Sequence, residues 1–119
     1  MNKGRKVTGG KYKANRKKKS YEIKGQKRII KLGEEKKKKL KTKGGNKKTV
    51  MLSAKFVNVN VKGKVKKVEI KNVLETPSNR FLARQNVIIK SAIVQTELGK
   101  VKITNRPSQE GFVSGILIE

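Results

Sequence analysis

The residues able to do chemistry are few in this chain, and their spacing keeps them apart. There is no cysteine and no histidine. That removes disulfides, thiolate zinc sites and thiol nucleophiles, together with the commonest general base and imidazole ligand. Of the 8 acidic residues only Glu34 and Glu35 are adjacent. A general acid/base pair needs an enclosing pocket to drive its two pKa values apart. This pair runs straight into Lys36-Lys37-Lys38-Lys39, so surface salt bridges are expected instead. The glycines of Thr8-Gly9-Gly10-Lys11-Tyr12 do not make a nucleotide phosphate loop, because G-x-x-x-x-G-K-[ST] occurs nowhere in the chain. The expectation is no enzyme, no metal site and no cofactor.

What the sequence carries in quantity is positive charge. Over 119 residues, 33 Lys and Arg stand against 8 Asp and Glu, a net charge of +25. A small domain ordinarily carries a net charge of magnitude about 2 to 8. Charge this far from zero makes a compact state repel itself unless a polyanion neutralises it. A clustered basic composition is the usual footprint of nucleic-acid binding. Residues 1–49 hold 21 basic and 3 acidic residues, net +18, and residues 50–119 hold 12 and 5, net +7.

The charge lies in recognisable runs. Arg16-Lys17-Lys18-Lys19 and Lys36-Lys37-Lys38-Lys39 can each neutralise phosphates and release condensed counterions. In Thr8-Gly9-Gly10-Lys11-Tyr12 the glycines let backbone amides approach a phosphate, and Tyr12 can stack on an unpaired base. The competing reading of that segment is a flexible basic linker. Lys43-Gly44-Gly45-Asn46-Lys47-Lys48 reads as a hairpin turn that presents lysines on both flanks. Ile29-Ile30-Lys31-Leu32 is too short, and too soon interrupted by Gly33, for a membrane-surface helix. No apolar run follows the charged N-terminus as a secretory signal would require, and a cytoplasmic protein is expected.

The elements that must position these cations are mostly strands. Residues 1–20 have too few large apolar side chains to form a core and read as an extended basic arm, able to span roughly 65 Å at about 3.3 Å per residue. Residues 21–38 read as a basic connecting segment and 39–119 as a β domain. Phe56-Val57-Asn58-Val59-Asn60-Val61 alternates apolar and polar. Lys62-Gly63-Lys64 turns it into a second strand from Val65 to Val73. A strand from Lys39 to Thr42 turns at Gly44-Gly45-Asn46 and returns from Lys48 to Leu52. Val87-Ile88-Ile89 and Ile93-Val94 are β-branched runs suited to pleated packing. Val101 and Ile103 share a face, and Ile116-Leu117-Ile118 closes the series. Asn79 to Arg84, after Pro77, is the one plausible helical turn. Several short strands with glycine turns leave a small closed barrel or a sandwich open.

An ordered set of short motifs resembles the eukaryotic and archaeal type of ribosomal protein eight of the small subunit. The matching stretches are Thr8–Tyr12, Asn15–Glu22, Lys31-Leu32-Gly33, Gly44–Lys48, Asn72-Val73 with Asn79-Arg80, Thr96–Lys100 and Arg106–Gly111. They follow family order over nearly the whole chain. The resemblance implies an all-β fold, a small closed β-barrel with an extended basic N-terminal arm. It implies ribosomal RNA of the small subunit and neighbouring ribosomal proteins as partners. The RNA-binding residues it implies are Lys3, Arg5, Lys6, Thr8, Gly9, Gly10, Lys11, Tyr12, Lys13, Asn15, Arg16, Lys17, Lys18 and Lys19 in the arm. Lys43, Gly44, Gly45, Asn46, Lys47 and Lys48 follow at the turn, then Arg80, Arg84 and Arg106. Two departures stand out. Ser108 replaces a glycine common after the Arg-Pro, an uncomfortable residue if that position needs positive φ. The Leu98-Gly99 join lacks the long insertion of eukaryotic members, so the chain is similar to the short archaeal form. The competing reading is a chromosomal DNA-compacting protein, which would share the charge but favour duplex DNA.

Overall fold

A computed structural model describes residues 4–13 and 15–118. Among the described residues, eight strands and one short α-helix follow one another. They are β1 (Lys31–Leu32), β2 (Lys36–Lys41), β3 (Lys47–Ala54), β4 (Phe56–Val61), β5 (Lys64–Glu75), α1 (Arg80–Arg84), β6 (Ile93–Thr96), β7 (Gly99–Ile103) and β8 (Ser114–Ile118). The strands β4-β5-β6-β7-β8 close into a barrel, and β1-β3-β2 form a separate three-stranded sheet. Closure is made by β4 pairing parallel with β8, Val59 opposite Gly115, while the other barrel pairings are antiparallel.

The alternation read from the sequence fills the barrel. Val57 and Val59 of β4, Val68 and Ile70 of β5, Val94 of β6, and Val101 and Ile103 of β7 are all buried. A barrel of five strands is narrow, and short β-branched side chains suit its taper. No aromatic residue belongs to the core cluster. Among the described glycines, Gly115 of β8 has the least room for a side chain. A Cβ there would lie 2.6 Å from Val101 Cγ1 and 2.7 Å from the Lys102 carbonyl oxygen.

The β4–β5 connection is a two-residue hairpin with Lys62 at φ 48° and Gly63 at φ 80°. That is the primed turn whose twist matches its strands. In β5 the burial pattern shifts phase after Ile70, where the register with β6 breaks between Ile70 and Asn72 and again between Val73 and Glu75. Such bulges re-aim side chains.

The three-stranded sheet is seated on the barrel through backbone and core contacts. Met51 N–H donates to the Pro107 and Glu110 carbonyls at 3.1 and 3.2 Å, and Ile88 N–H donates to the Ile30 carbonyl at 2.8 Å. Ile30, Met51 and Ala54 join the same buried cluster as the barrel valines.

Several local readings are sharpened. β2 begins at Lys36, earlier than the Lys39 start read from the sequence. Val87-Ile88-Ile89 is not a strand; Val87 makes one isolated bridge to Lys31, and Val87 and Ile88 serve as core plugs. Ile30 is buried and Lys31–Leu32 pairs parallel with β3, so this apolar stretch is part of the fold. The helical turn after Pro77 is α1, whose N-cap Asn79 accepts from Phe81 N–H at 3.1 Å. Ser108 is not in the left-handed region, where the side-chain-bearing residues are Lys62, Asn86 and Ser91. The substitution for glycine therefore carries no backbone strain.

Among the described residues before Ile30, every side chain is exposed and none enters the core. The molecule measures 63 × 37 × 28 Å with a radius of gyration of 20.5 Å, against about 13.5 Å for a compact chain of this length.

Candidate nucleic-acid interface

Residues 5 to 11 fold back on themselves. Lys6 N–H donates to the Gly10 carbonyl and Gly9 N–H to the Lys6 carbonyl, both at 2.9 Å, and Arg5 pairs with Lys11 in an isolated antiparallel bridge. This is a three-residue hairpin loop ending on a left-handed residue, and Gly9 has φ 81°. The Arg5 guanidinium donates to the Gly9 carbonyl at 3.0 Å. Lys6 Nζ lies 5.8 Å from the centroid of the Tyr12 ring, and Tyr12 is 54% exposed. Thr8, Gly10 and Lys13 are exposed beside them.

Further along, Asn15, Lys17, Lys18 and Lys19 are exposed without a carboxylate partner among the described residues. Arg16 differs. Its guanidinium forms a two-pronged pair with Glu22, Nη2 to Oε1 at 2.6 Å and Nη1 to Oε2 at 2.9 Å. Glu22 also accepts from Lys19 N–H at 3.1 Å across a single 3-10 turn, Ser20–Glu22. The Arg16 guanidinium first, then the Lys19 amide, hold the Glu22 carboxyl below the usual carboxylate range. Glu22 in turn raises Arg16. Lys3 lies outside the described residues.

The β2–β3 turn is the second basic feature. Thr42 N–H donates to the Asn46 carbonyl at 2.8 Å, and between them Gly44 and Gly45 take φ 76° and 75°. A Cβ is disfavoured in that region, which accounts for the glycine pair. Lys41 and Lys47 stand directly opposite one another on the flanking strands. Like charges so placed are destabilising until an anion lies between them. Together with Thr42, Gly45 and Asn46 they line a shallow groove of about 230 Å³. Lys43 and Lys48 are exposed on either side.

Arg106 is brought to this end of the molecule. Its loop lies against β3 through the Met51–Pro107 hydrogen bond, and Lys48 Nζ donates to Gln109 Oε1 at 3.3 Å. Arg80 and Arg84 lie elsewhere, both exposed on α1 and facing a groove beside β5. The lysines of β5 and its turn, Lys62, Lys64, Lys66, Lys67 and Lys71, are also exposed. Sequence reasoning gives them no role, because a lysine on a strand face carries no signal beyond solvation.

Of the two adjacent carboxylates, one makes the surface salt bridge that the sequence implied, and Glu34 is in none among the described residues. Glu35 pairs with Lys37 at 2.7 Å, and that contact holds its carboxyl below the ordinary range. Among the described residues, no group of three or more His, Cys, Asp or Glu could hold a metal ion, and no helix is long and apolar enough to cross a membrane. The arrangement is an open cationic surface carried on a small barrel.

The comparisons with known proteins give this class a family. Residues 1–118 match the family model described as Ribosomal protein S8e, and the chain belongs to that family. It is 47% identical over 118 residues to the "Small ribosomal subunit protein eS8" of Staphylothermus marinus, covering 97% of this chain and 92% of that protein. It is 44% identical over 115 residues to the protein of the same name from Nanoarchaeum equitans, covering 95% and 91%. With that of Sulfolobus acidocaldarius it shares 41% over 120 residues, covering 98% and 94%. This is a family of structural ribosomal proteins and not of enzymes.

Proposed function

We propose that this chain is a structural constituent of the small ribosomal subunit in the cytoplasm, where it binds and stabilises ribosomal RNA. Its partners are that RNA and neighbouring ribosomal proteins. The observation that carries the reading is the near-complete match to the family joined to cations gathered at the 5–19 stretch and at the β2–β3 turn. The mechanism is electrostatic positioning. Cations at phosphates fix register without reading sequence. The stretch up to Lys19 acts as a basic arm that enters between RNA segments and lowers their mutual repulsion, while the barrel anchors it at the surface. Specificity comes from RNA shape and from unpaired bases, with Tyr12 as a stacking platform. The folded body that anchors the arm begins at Ile30, the first core residue among those described, and the residues between Lys19 and Ile30 connect the two.

The test is co-sedimentation. In lysate at moderate salt the protein should travel with small ribosomal subunits. A pool that runs free of them at all salt concentrations overturns the reading and favours the DNA-compacting alternative if it sediments with chromosomal DNA instead.

A further inference from the structure

The groove between β5 and α1 has a composition that sets it apart from the general basic surface. It is an open groove of about 390 Å³, lined by Asn72, Val73, Leu74, Arg80, Ala83, Arg84 and Asn86. No carboxylate is among them. Arg80 and Arg84 are four residues apart on α1, so they share a helix face, and like charges at that spacing are mildly destabilising on their own. Neither is in an ion pair among the described residues.

The two asparagines face this pair in a defined orientation. The register break in β5 leaves Val73 N–H to side-chain acceptors. It donates to Asn72 Oδ1 at 2.9 Å and to Asn86 Oδ1 at 3.4 Å. With both carboxamide oxygens committed to one backbone donor, the flip of each amide is fixed by its network. Among the described residues, neither NH₂ group donates to a protein acceptor. Asn86 is held in place by the backbone as well. It sits at φ 53°, its N–H donates to the Ala83 carbonyl at 3.0 Å, and its carbonyl accepts from Leu32 N–H at 3.0 Å. The side chains around the groove therefore offer two guanidinium forks and two amide N–H groups, all donors. A concavity with arginine forks, amide donors and no carboxylate suits a phosphate, whose oxygens accept.

We propose that this groove seats a single backbone phosphate of the bound RNA, held by Arg80 and Arg84 from one side and by the carboxamides of Asn72 and Asn86 from the other. The proposal rests on the RNA-binding reading above for its ligand, and adds a specific clamp in which two uncharged residues are essential. The β5 bulge is the positioning device, since it supplies the N–H that turns both amides.

The experiment has two arms on the full chain. In the first, inorganic phosphate is titrated at constant ionic strength while the side-chain N–H resonances of Arg80, Arg84, Asn72 and Asn86 are followed by NMR. All four should shift along one saturating curve, and Arg106 should not follow it. The variant N72D/N86D keeps the oxygens that Val73 needs and replaces the donors by acceptors. It should abolish saturation although both arginines remain. In the second arm, R80A/R84A should make the salt dependence of binding to small-subunit ribosomal RNA shallower by about 0.7–0.9 in log–log slope, one phosphate's worth. K100A/K102A is the charge-matched control, and R80A/R84A should weaken binding about ten-fold more than it does, because forked charge-assisted bonds are removed. Non-saturating shifts, or saturation that persists in N72D/N86D, overturn the clamp. An effect of R80A/R84A no larger than the control does the same. Absence of any RNA binding by the parent chain would instead strike the functional reading, and the phosphate titration would still decide the groove.

Discussion

Gly115, paired with Val59 across the closure of the barrel, leaves no room for a side chain. The two atoms nearest an added Cβ are a core methyl and the backbone carbonyl of Lys102, at 2.6 and 2.7 Å, and a carbonyl in the barrel wall cannot swing aside as a side chain can. G115A should cost about 1–3 kcal/mol, the usual range for overpacking. Thermal unfolding followed by circular dichroism should show a fall in Tm of several degrees or more, at about 4–8 °C per kcal/mol for a domain of this size. An unchanged Tm would mean that β7 and β8 part readily. Other glycines are marked more clearly in the sequence than this one. Gly44, Gly45 and Gly63 sit between polar residues and announce turns, whereas Gly115 in Ser114-Gly115-Ile116 looks like an ordinary weak point of a strand. Its purpose lies in the neighbouring strand β7, which spacing along the chain does not reveal. The pairing of Asn72 with Asn86 was hidden for the same reason, since their shared partner Val73 N–H is free for them only once β5 has bulged.

At the scale of elements, the pair between Arg16 and Glu22 closes a small loop just before the connecting segment. On the RNA-binding reading proposed above, it competes with RNA for the arginine. E22Q removes the competing carboxylate and should raise RNA affinity at neutral pH while steepening the salt dependence by up to about 0.9 in log–log slope. Filter binding across a salt series measures both, and an unchanged slope would place Arg16 outside the RNA interface. Because Glu22 is depressed, its charge and the pair persist at neutral pH and disappear only as pH falls through that lowered value. Strands with clear alternation were fully legible, as β4 shows from Phe56 to Val61. β2 was half legible. Lysine is depleted in strands, so Lys36-Lys37-Lys38 read as connection, yet β2 is the outer strand of its sheet and pairs with β3 along its whole length. A lysine-lined edge is a normal guard against unwanted strand addition. The run Val87-Ile88-Ile89 misled in the opposite direction, because burial among other elements, not pairing, accounts for its apolar side chains.

For the whole molecule, the division between where charge is concentrated and where the core lies makes a deletion informative. Ile30 is the first core residue among those described, so removing residues 1–20 should leave barrel and sheet folded, with the far-UV signature of their strands intact. It should weaken RNA binding and lower the salt slope by several units, at about 0.9 for each phosphate that is no longer neutralised. Equal slopes for the two proteins would show that the arm does not touch the RNA. The closure of the barrel has a further consequence in time. The strands that meet in parallel, β4 and β8, are the first and last of the five, and pairing of such distant segments is slow because chain entropy must be spent before the pairing rewards it. As the polypeptide is synthesised, the cationic stretch emerges well before β8 exists to complete the wall. For that interval the protein is a polycation without its anchor, and the order in which RNA engages it is set by the topology of the barrel as well as by affinity.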